Sequence, residues 1–376
     1  MVRFVHTADW QLGMTRHFLD EEAQSRYTAA RLATIRAIGE LAVGEGCEFV
    51  VVCGDVFESN QLAPMTLSRA LEAMRQAQVD FYLLPGNHDP LCAGSLYTSA
   101  QFQAECPPNV VVLDSSREVR PGVELLAAPW RGKRPESPPA LAALAQADGL
   151  GGDVLRVLVA HGAVDALSPD LDAPGVMRLA DLERAPVQYV ALGDRHSTTR
   201  VTDRVWYSGS PEPTNFDDVE TDSGAVLVVE LDGDRADVTP RRVARWRFCT
   251  QRHDVNGAAD IASLDSALSE IADKDSTVLR LALRGALSVA QRADLDEVLS
   301  RHSRLFASVQ LWRRHTELAT VPDDEEFSGF SGFVGEAVAE LVEQARAGQG
   351  DAARALGLLL RLSAADNSPV GGGVAQ

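Results

Sequence analysis

Phe81-Tyr82-Leu83-Leu84-Pro85-Gly86-Asn87-His88-Asp89 is the stretch on which the fold turns. A β-type apolar run ends in a glycine, and three chemically capable side chains follow at once. A structural turn has little use for histidine there, so Gly86–Asp89 reads as part of a site. Four other apolar runs also lead straight into polar clusters. Val2–Thr7 leads to Asp9-Trp10-Gln11, Phe49–Cys53 to Gly54-Asp55, Val154–Ala160 to His161-Gly162, and Val187–Leu192 to Gly193-Asp194-Arg195-His196. Alone, a Gly-Asp or His-Gly pair is an ordinary turn. Together they lie where open α/β sheets gather ligands, at the carboxyl ends of strands.

Between these runs the spacing is helical. Ala23–Glu45 carries Ala30, Ala33, Ile35, Ile38, Leu41 and Ala42 on one face, and Ala63–Gln78 is a second helix. The β-α-β-α-β order predicts a layered α/β sheet with helices packed on its faces. Val110–Leu113 and Val123–Ala128 read as further strands, and Pro135–Ala147 as a connection with a short helix. Val205–Ser208 and Ala225–Leu231, with a turn at Asp232-Gly233, read as antiparallel additions at a sheet edge. The pattern places one domain at residues 1–245. From His253 a strand, helix Leu264–Ala272, strand Thr277–Arg284, helix Ala290–Arg301 and strand Ser308–Trp312 form an α+β unit, residues 246–320. An acidic linker spans 321–327, and a helical hairpin follows at 328–366. Its apolar faces (Phe333, Val334, Val338, Leu341; Leu356, Leu359, Leu362) suit a partner as well as they suit packing on their own domain. Residues 367–376 are expected to be disordered.

At 376 residues the chain exceeds one ordinary core, and 45% hydrophobic with 24% charged residues is a soluble globular composition. No apolar stretch approaches the ~20 residues that span a bilayer, so no membrane is expected. The start lacks the apolar region of a signal peptide, which predicts a cytoplasmic protein. Cys47, Cys53, Cys92, Cys106 and Cys249 show no C-x-x-C spacing, so reduced and mostly buried thiols are expected. A net charge of -19 opposes DNA as an unassisted partner, since nucleic-acid affinity comes largely from cations. Bound divalent ions or a basic partner protein would offset it.

Asp9, Asp55 and Asp194 offer carboxylates, Asn87 an amide oxygen, His161 and His196 imidazoles. Such a donor set without thiolate suits manganese, iron, zinc or magnesium. Two metals about 3.5–4 Å apart polarise a phosphate and generate the nucleophile, with Asp55 the natural bridge. His88 is positioned to protonate a leaving alkoxide, and Asp89 to fix the orientation of its ring. Glycines at 54, 86, 162 and 193 let the backbone turn away from each strand. His17, His253, His302 and His315 read as exposed, with His17 alone near the first cluster. Arg131, Lys133, Arg134 and the Arg241–Arg247 stretch read as solvated surface ahead of phosphate contacts.

The series Asp9, Gly54-Asp55, Gly86-Asn87-His88-Asp89, His161 and Gly193-x-x-His196 resembles the calcineurin-like metallophosphoesterase superfamily. Within it, His6–Gly13, Gly54–Glu58 and Tyr207-Ser208-Gly209-Ser210-Pro211 resemble the DNA double-strand-break-repair branch, the SbcD-type exonucleases. The resemblance implies a four-layer β-sandwich flanked by helices, a small α+β capping domain shaping DNA access, and a C-terminal helical hairpin. It implies one metal on Asp9, the residue at 11, Asp55 and His196. A second metal falls to Asp55, Asn87, His161 and the residue at 194, with His88 catalytic. It further implies DNA as substrate, a coiled-coil SMC-like ATPase partner (SbcC-like) docked on the hairpin, and a homodimer.

Two positions depart from the family, which usually has histidine at both: Gln11 and Asp194. Oxygen in place of two imidazoles makes the site harder and shifts preference toward manganese or magnesium. Three readings compete: activity with altered metal preference, one tightly held metal with conditional activity, and a scaffold protein without catalysis. Retention of His88 favours the first. A phosphoesterase for a small nucleotide or phosphoprotein is the alternative enzyme, and the extra domain argues against it.

Overall fold

Each apolar run that precedes a polar cluster is a strand, and its alternate side chains bury in opposite directions. The computed structural model describes residues 1–147, 154–216, 221–320, 330–347, 349, 351–352, 355–356 and 358–359. The chain divides into two units, Met1–Arg247 and Phe248–Gln376.

The first unit opens with β1 (Val2–Thr7), α1 (Glu21–Gly44), β2 (Phe49–Cys53), α2 (Pro64–Arg75), β3 (Asp80–Leu84), α3 (Ala100–Glu105) and β4 (Val110–Val112). It continues through β5 (Arg117–Arg120), β6 (Val123–Ala127), α4 (Pro139–Ala147), β7 (Leu155–His161), α5 (Leu179–Arg184) and β8 (Tyr189–Gly193). Then come β9 (Thr199–Arg200), β10 (Val205–Tyr207), β11 (Ala225–Asp232) and β12 (Arg235–Arg242). These strands make two six-stranded sheets, ordered β12-β11-β1-β2-β3-β4 and β5-β6-β7-β8-β10-β9. The inner strands of each pair in parallel, β1 with β2, β2 with β3, β6 with β7 and β7 with β8. Their carboxyl ends are therefore neighbours.

Alternation then makes four layers. Phe4, Phe49, Val51 and Tyr82 of the first sheet pack against Leu125, Val157, Val159 and Tyr189 of the second. The opposite side chains of the first sheet, Val5, Val50, Val52 and Phe81, pack under α1 and α2 through Ile35, Ile38, Leu67 and Met74. Those of the second sheet, Leu126, Leu158, Val190 and Leu192, pack under α4 and α5 through Ala140, Ala143 and Leu182. This is the α/β sandwich the resemblance implies. One expectation fails: β10 runs parallel to β8, not antiparallel. The loop Asp194–Ser197 and β9 carry the chain back before β10 starts, so it re-enters in the direction of β8. The β11–β12 hairpin is antiparallel at the edge, as its Asp-Gly turn dictates.

In the second unit β13 (Arg247–Asp254), β14 (Thr277–Leu287), β15 (Ser308–Leu311) and β16 (Glu317–Thr320) form one sheet, with α6 (Ala258–Glu270) and α7 (Val289–Ser303). The long β14 pairs in parallel with β15 through Val278–Leu281 and with β16 through Arg284–Leu287, so one strand serves two partners in tandem. Leu264, Leu268 and Leu295 cover Leu279, Leu281 and Leu283. Helix α7 begins with a capping box, Ser288 and Gln291 each closing the other's backbone amide. His302, expected at the surface, is buried, with Nε2 2.7 Å from Asp265 Oδ1. A histidine on the core-facing side of a helix has to find such a partner. Helix α8 (Gly332–Arg346) buries Val338, Val342 and Ala345 with Val289, Ala352 and Leu356, while Phe333 stays 86% exposed. The linker 321–327, the tail 367–376 and much of the second hairpin helix lie outside the described residues.

Candidate active site

Five strand ends deliver the site. β1 ends two residues before Asp9, β2 and β3 run into Asp55 and Asn87, and β7 and β8 supply His161 and Asp194. The turns are knitted by backbone bonds that extend the sheet beyond its strands: Asp9 N–H to Gly54 O at 3.1 Å and Gln11 N–H to Asp55 O at 2.9 Å. Non-glycine residues with positive φ concentrate here. Asp9 (54°), Gln11 (43°), Asp55 (51°) and Asp194 (99°) hold left-handed backbone, and outside the site only Asp273 does so among the described residues. Such strain costs about 1–3 kcal/mol per residue and persists where surroundings over-determine it. It turns consecutive side chains into one space.

Two glycines are required by close approach. A Cβ on Gly54 would lie 2.2 Å from His161 Nδ1, and one on Gly86 2.2 Å from Asp55 Oδ1. Both ligand-bearing turns can close only over hydrogen.

The side chains form two adjoining groups. In one, His161 Nε2 lies 2.8 Å from Asn87 Oδ1, 3.5 Å from Asp55 Oδ1 and 3.8 Å from Asp194 Oδ1. In the other, His196 Nε2 lies 3.4 Å from Gln11 Nε2 and 4.0 Å from Asp9 Oδ1. The groups meet where Asp9, Asp55 and His161 bring one ligand atom each within 4.8 Å of one another. All seven predicted ligands, Asp9, Gln11, Asp55, Asn87, His161, Asp194 and His196, are thus drawn together.

The donor set fits cations. His161 Nδ1 lies 2.9 Å from Cys53 O; a carbonyl only accepts, so the ring proton of the neutral form sits on Nδ1 and Nε2 presents a lone pair. Facing it, the Asn87 amide oxygen looks only at acceptors; turned over, its nitrogen would donate to both Asp55 oxygens and His161. Gln11 Oε1 is buried without a hydrogen-bond partner. Lone pairs converging with no hydrogen between them are what a bound ion requires.

Electrostatics agree. Burial raises the Asp9 carboxyl well above the usual range; Asp55 and Asp194 add repulsion and His161 opposes it. Burial acts on His161 in the other direction, yet Asp55, Asp9 and Asp194 overcome it and raise the imidazole. The acids thus hold positive charge at their centre. Burial brings His196 down to about 4, with Arg31 and Arg16 assisting against Asp55.

His88 is 38% exposed at its side chain, with Nδ1 3.0 Å from Glu58 O and Nε2 3.8 Å from Asp55 Oδ2. Asp89 does not orient it. That carboxylate is fully buried and accepts from Gly86 N–H at 2.7 Å, Phe57 N–H at 3.0 Å and Tyr97 O–H at 2.6 Å. Facing inward from the turn, it ties the β3 loop to the β2 loop, while a backbone carbonyl takes the orienting task. Burial, with Asp55 nearby, lifts Asp89 to about 6.

Several supporting residues lie outside the motifs. Thr214 Oγ1 lies 2.7 Å from His196 Nδ1, and buried Glu212 accepts from Thr34 O–H and the Arg245 and Trp246 amides. Both follow closely on Pro211, the last residue of the final motif. Trp130 Nε1–H donates to His161 O at 2.7 Å. All five cysteines are free, but only Cys47 and Cys53 are buried, so the thiols are not mostly buried as expected. Arg241 is held by Glu45 at 2.7 Å.

Residues 2–197 match the calcineurin-like phosphoesterase family. The chain belongs to that family. All seven predicted ligands fall within the matched stretch. Among relatives, the SbcD component of the SbcCD nuclease of Rhodobacter capsulatus is 26% identical over 374 residues, 84% of this chain and 88% of that one. Its Escherichia coli K12 counterpart, also from an SbcCD nuclease, is 24% identical over 315 residues, 68% of this chain and 76% of that one. DNA double-strand break repair protein Mre11 of Archaeoglobus fulgidus is 30% identical over 91 residues, 23% of this chain and 19% of that one. No helix among the described residues is long and apolar enough to cross a membrane.

Proposed function

We propose that this calcineurin-like phosphoesterase is the nuclease component of a DNA double-strand-break-repair complex, an SbcD-type metal-dependent phosphodiesterase. The observation carrying the reading is a similarity to an SbcD protein that runs along 84% of this chain and 88% of that one. The converging lone pairs of His161, Asn87 and Asp55 supply its chemistry. Asp9, Gln11, Asp55 and His196 would hold one divalent ion; Asp55, Asn87, His161 and Asp194 the other. Five oxygen-bearing residues against two imidazoles favour manganese, with magnesium or iron next. Bound ions supply Lewis acidity toward phosphate oxygens and an activated water.

The chain's own residues do the rest. His88 faces solvent with its Nδ1–H on the Glu58 carbonyl, which aims Nε2 toward the Asp55 side of the site. In its protonated form, Nε2 carries the hydrogen for the departing alkoxide. Asp89 and Tyr97 lock the loop that bears His88. Residues 246–320 would serve as the cap and the helical hairpin 328–366 as the docking segment for a coiled-coil ATPase, in a homodimeric assembly. Such a partner also answers the charge of -19.

The test is the purified chain with manganese, with and without the ATPase, on linear duplex DNA, hairpin DNA and bis(p-nitrophenyl) phosphate. Cleavage of both DNAs, lost in His88→Ala, is expected. Hydrolysis of the small diester alone would point to a small-substrate phosphoesterase. No metal-dependent cleavage of any substrate, with His88→Ala indistinguishable from the parent, would leave a scaffold.

A further inference from the structure

Behind the Asp9–Gln11–His196 half of the site lies a buried arginine that none of the motifs contains. Arg31, on α1, is 4% exposed. Its Nη2 and Nε both donate to the Trp10 carbonyl, at 2.7 and 3.2 Å. Its Nη1 donates to Tyr27 O–H at 2.7 Å and to the Pro213 carbonyl at 3.3 Å. The Tyr27 hydroxyl donates in turn to Pro213 O at 2.5 Å. A guanidinium is costly to bury, and here backbone carbonyls and a phenol receive it. The reason lies in what those carbonyls belong to.

Trp10 sits between Asp9 and Gln11, the two left-handed residues of the first turn. Its carbonyl belongs to the peptide that joins Trp10 to Gln11, and two N–H bonds pin it. Pro213 precedes Thr214, whose hydroxyl lies 2.7 Å from His196 Nδ1. One guanidinium therefore joins the loop bearing Asp9 and Gln11 to the loop that orients His196, and Gln11 and His196 lie 185 residues apart. The other half of the site is fastened differently, by Cys53 O and Trp130 on His161.

We infer that Arg31, with Tyr27, is a positioning residue that sets the spacing of Asp9, Gln11 and His196 and so governs cation affinity at that half of the site alone. The inference rests on the metal-binding reading above. Groups that orient ligands from behind typically change metal affinity about 10–100-fold. Lysine keeps the charge but cannot bond both carbonyls through a planar fork.

The experiment is manganese titration by calorimetry and electron paramagnetic resonance of the parent, Arg31→Lys and Tyr27→Phe, with Gln11→Ala and Asn87→Ala as references for the two halves. One of two manganese ions should bind about 10–100-fold more weakly in Arg31→Lys, with the pattern of Gln11→Ala and not that of Asn87→Ala. Tyr27→Phe should shift the same ion by less. Should Arg31→Lys fail to fold, Tyr27→Phe, which loses one oxygen, decides the matter. Unchanged affinities in a folded Arg31→Lys, or equal weakening of both ions, would overturn the inference. A parent chain that binds no manganese would instead sink the metal reading, and this inference with it.

Discussion

The Nε2 atom of His161 lies 2.8 Å from the amide oxygen of Asn87, and in the neutral ring neither atom brings a hydrogen to the contact. The ring proton is already committed to Cys53 O. With Asp55 and Asp194 also facing Nε2, this half of the site gathers acceptors that only a proton on the raised His161 ring or a bound cation reconciles. Its stability and its chemistry should therefore pull apart.

Asp9→Asn tests that separation. Asp9 is fully buried, and burial together with the neighbouring carboxylates raises its pKa. An amide of the same shape keeps an oxygen to accept from the Asp194 amide, which lies 3.1 Å from Asp9 Oδ2. In chelator the variant should be more stable than the parent by about 0.5–2 kcal/mol, while metal-dependent hydrolysis falls at least about 100-fold. Thermal unfolding in chelator, paired with diesterase assays, measures both. A variant less stable without metal would count against crowding of the acids.

Gln11→His and Asp194→His should change which metal supports activity. Gln11 Oε1 is a buried oxygen without a hydrogen-bond partner, and Asp194 faces His161. Imidazole at either position softens its half of the site, so the zinc-to-manganese activity ratio should rise about tenfold or more, with stability changed by under about 1 kcal/mol. Identical metal profiles in parent and variants would remove Gln11 and Asp194 from the ligand set.

The sequence was most informative where function forces unusual residues into turns. Gly86-Asn87-His88-Asp89 was legible because its histidine serves no turn, and the strands because burial on two faces makes their apolar runs continuous. Thr214 and Arg31 were not legible. Their partners are a distant imidazole and two backbone carbonyls, and carbonyls leave no mark on residue identity. The task of Asp89 is misread from sequence for a related reason: adjacency to His88 suggests contact, whereas Asp89 takes the Gly86, Phe57 and Tyr97 donors and His88 the Glu58 carbonyl. His302 was misplaced because its salt-bridge partner, Asp265, lies 37 residues away on another helix. The direction of β10 depends on the intervening return strand β9, only two residues long, which hydropathy does not reveal.

Glycine substitutions separate close approach from local propensity. Gly86→Ala would set a Cβ 2.2 Å from Asp55 Oδ1 and 2.4 Å from the Asp55 amide nitrogen, and the backbone there cannot yield. It should cost about 1–3 kcal/mol and abolish hydrolysis, because the displaced Asp55 carboxylate is the one proposed to serve both metals. Gly44→Ala, at the end of α1 with nothing within 4 Å, should leave activity intact and add up to about 1 kcal/mol. Denaturant midpoints and diesterase rates compare the two. An active Gly86→Ala would mean that the β2 and β3 turns are less closely apposed than these distances require.

Acid stability should report on His6, which lies on β1 between the sheets and touches no proposed ligand. Its Nε2 lies 3.1 Å from Leu192 O and its Nδ1 3.0 Å from Tyr189 O–H. The carbonyl can only accept, so Nε2 carries the hydrogen, Nδ1 receives the tyrosine proton, and no place remains for a second proton. Burial brings the pKa from 6.5 down to about 3. The unfolded chain therefore binds the proton first as pH falls. The contribution is present in full above about 6.5 and is lost progressively toward about 3, on the order of a few kcal/mol in total. His6→Gln has no such titration. Between about pH 6.5 and about pH 4 the parent should lose stability more steeply than the variant, the groups common to both cancelling in the difference. Parallel slopes in urea unfolding across that range would show that His6 accepts its proton in the folded state.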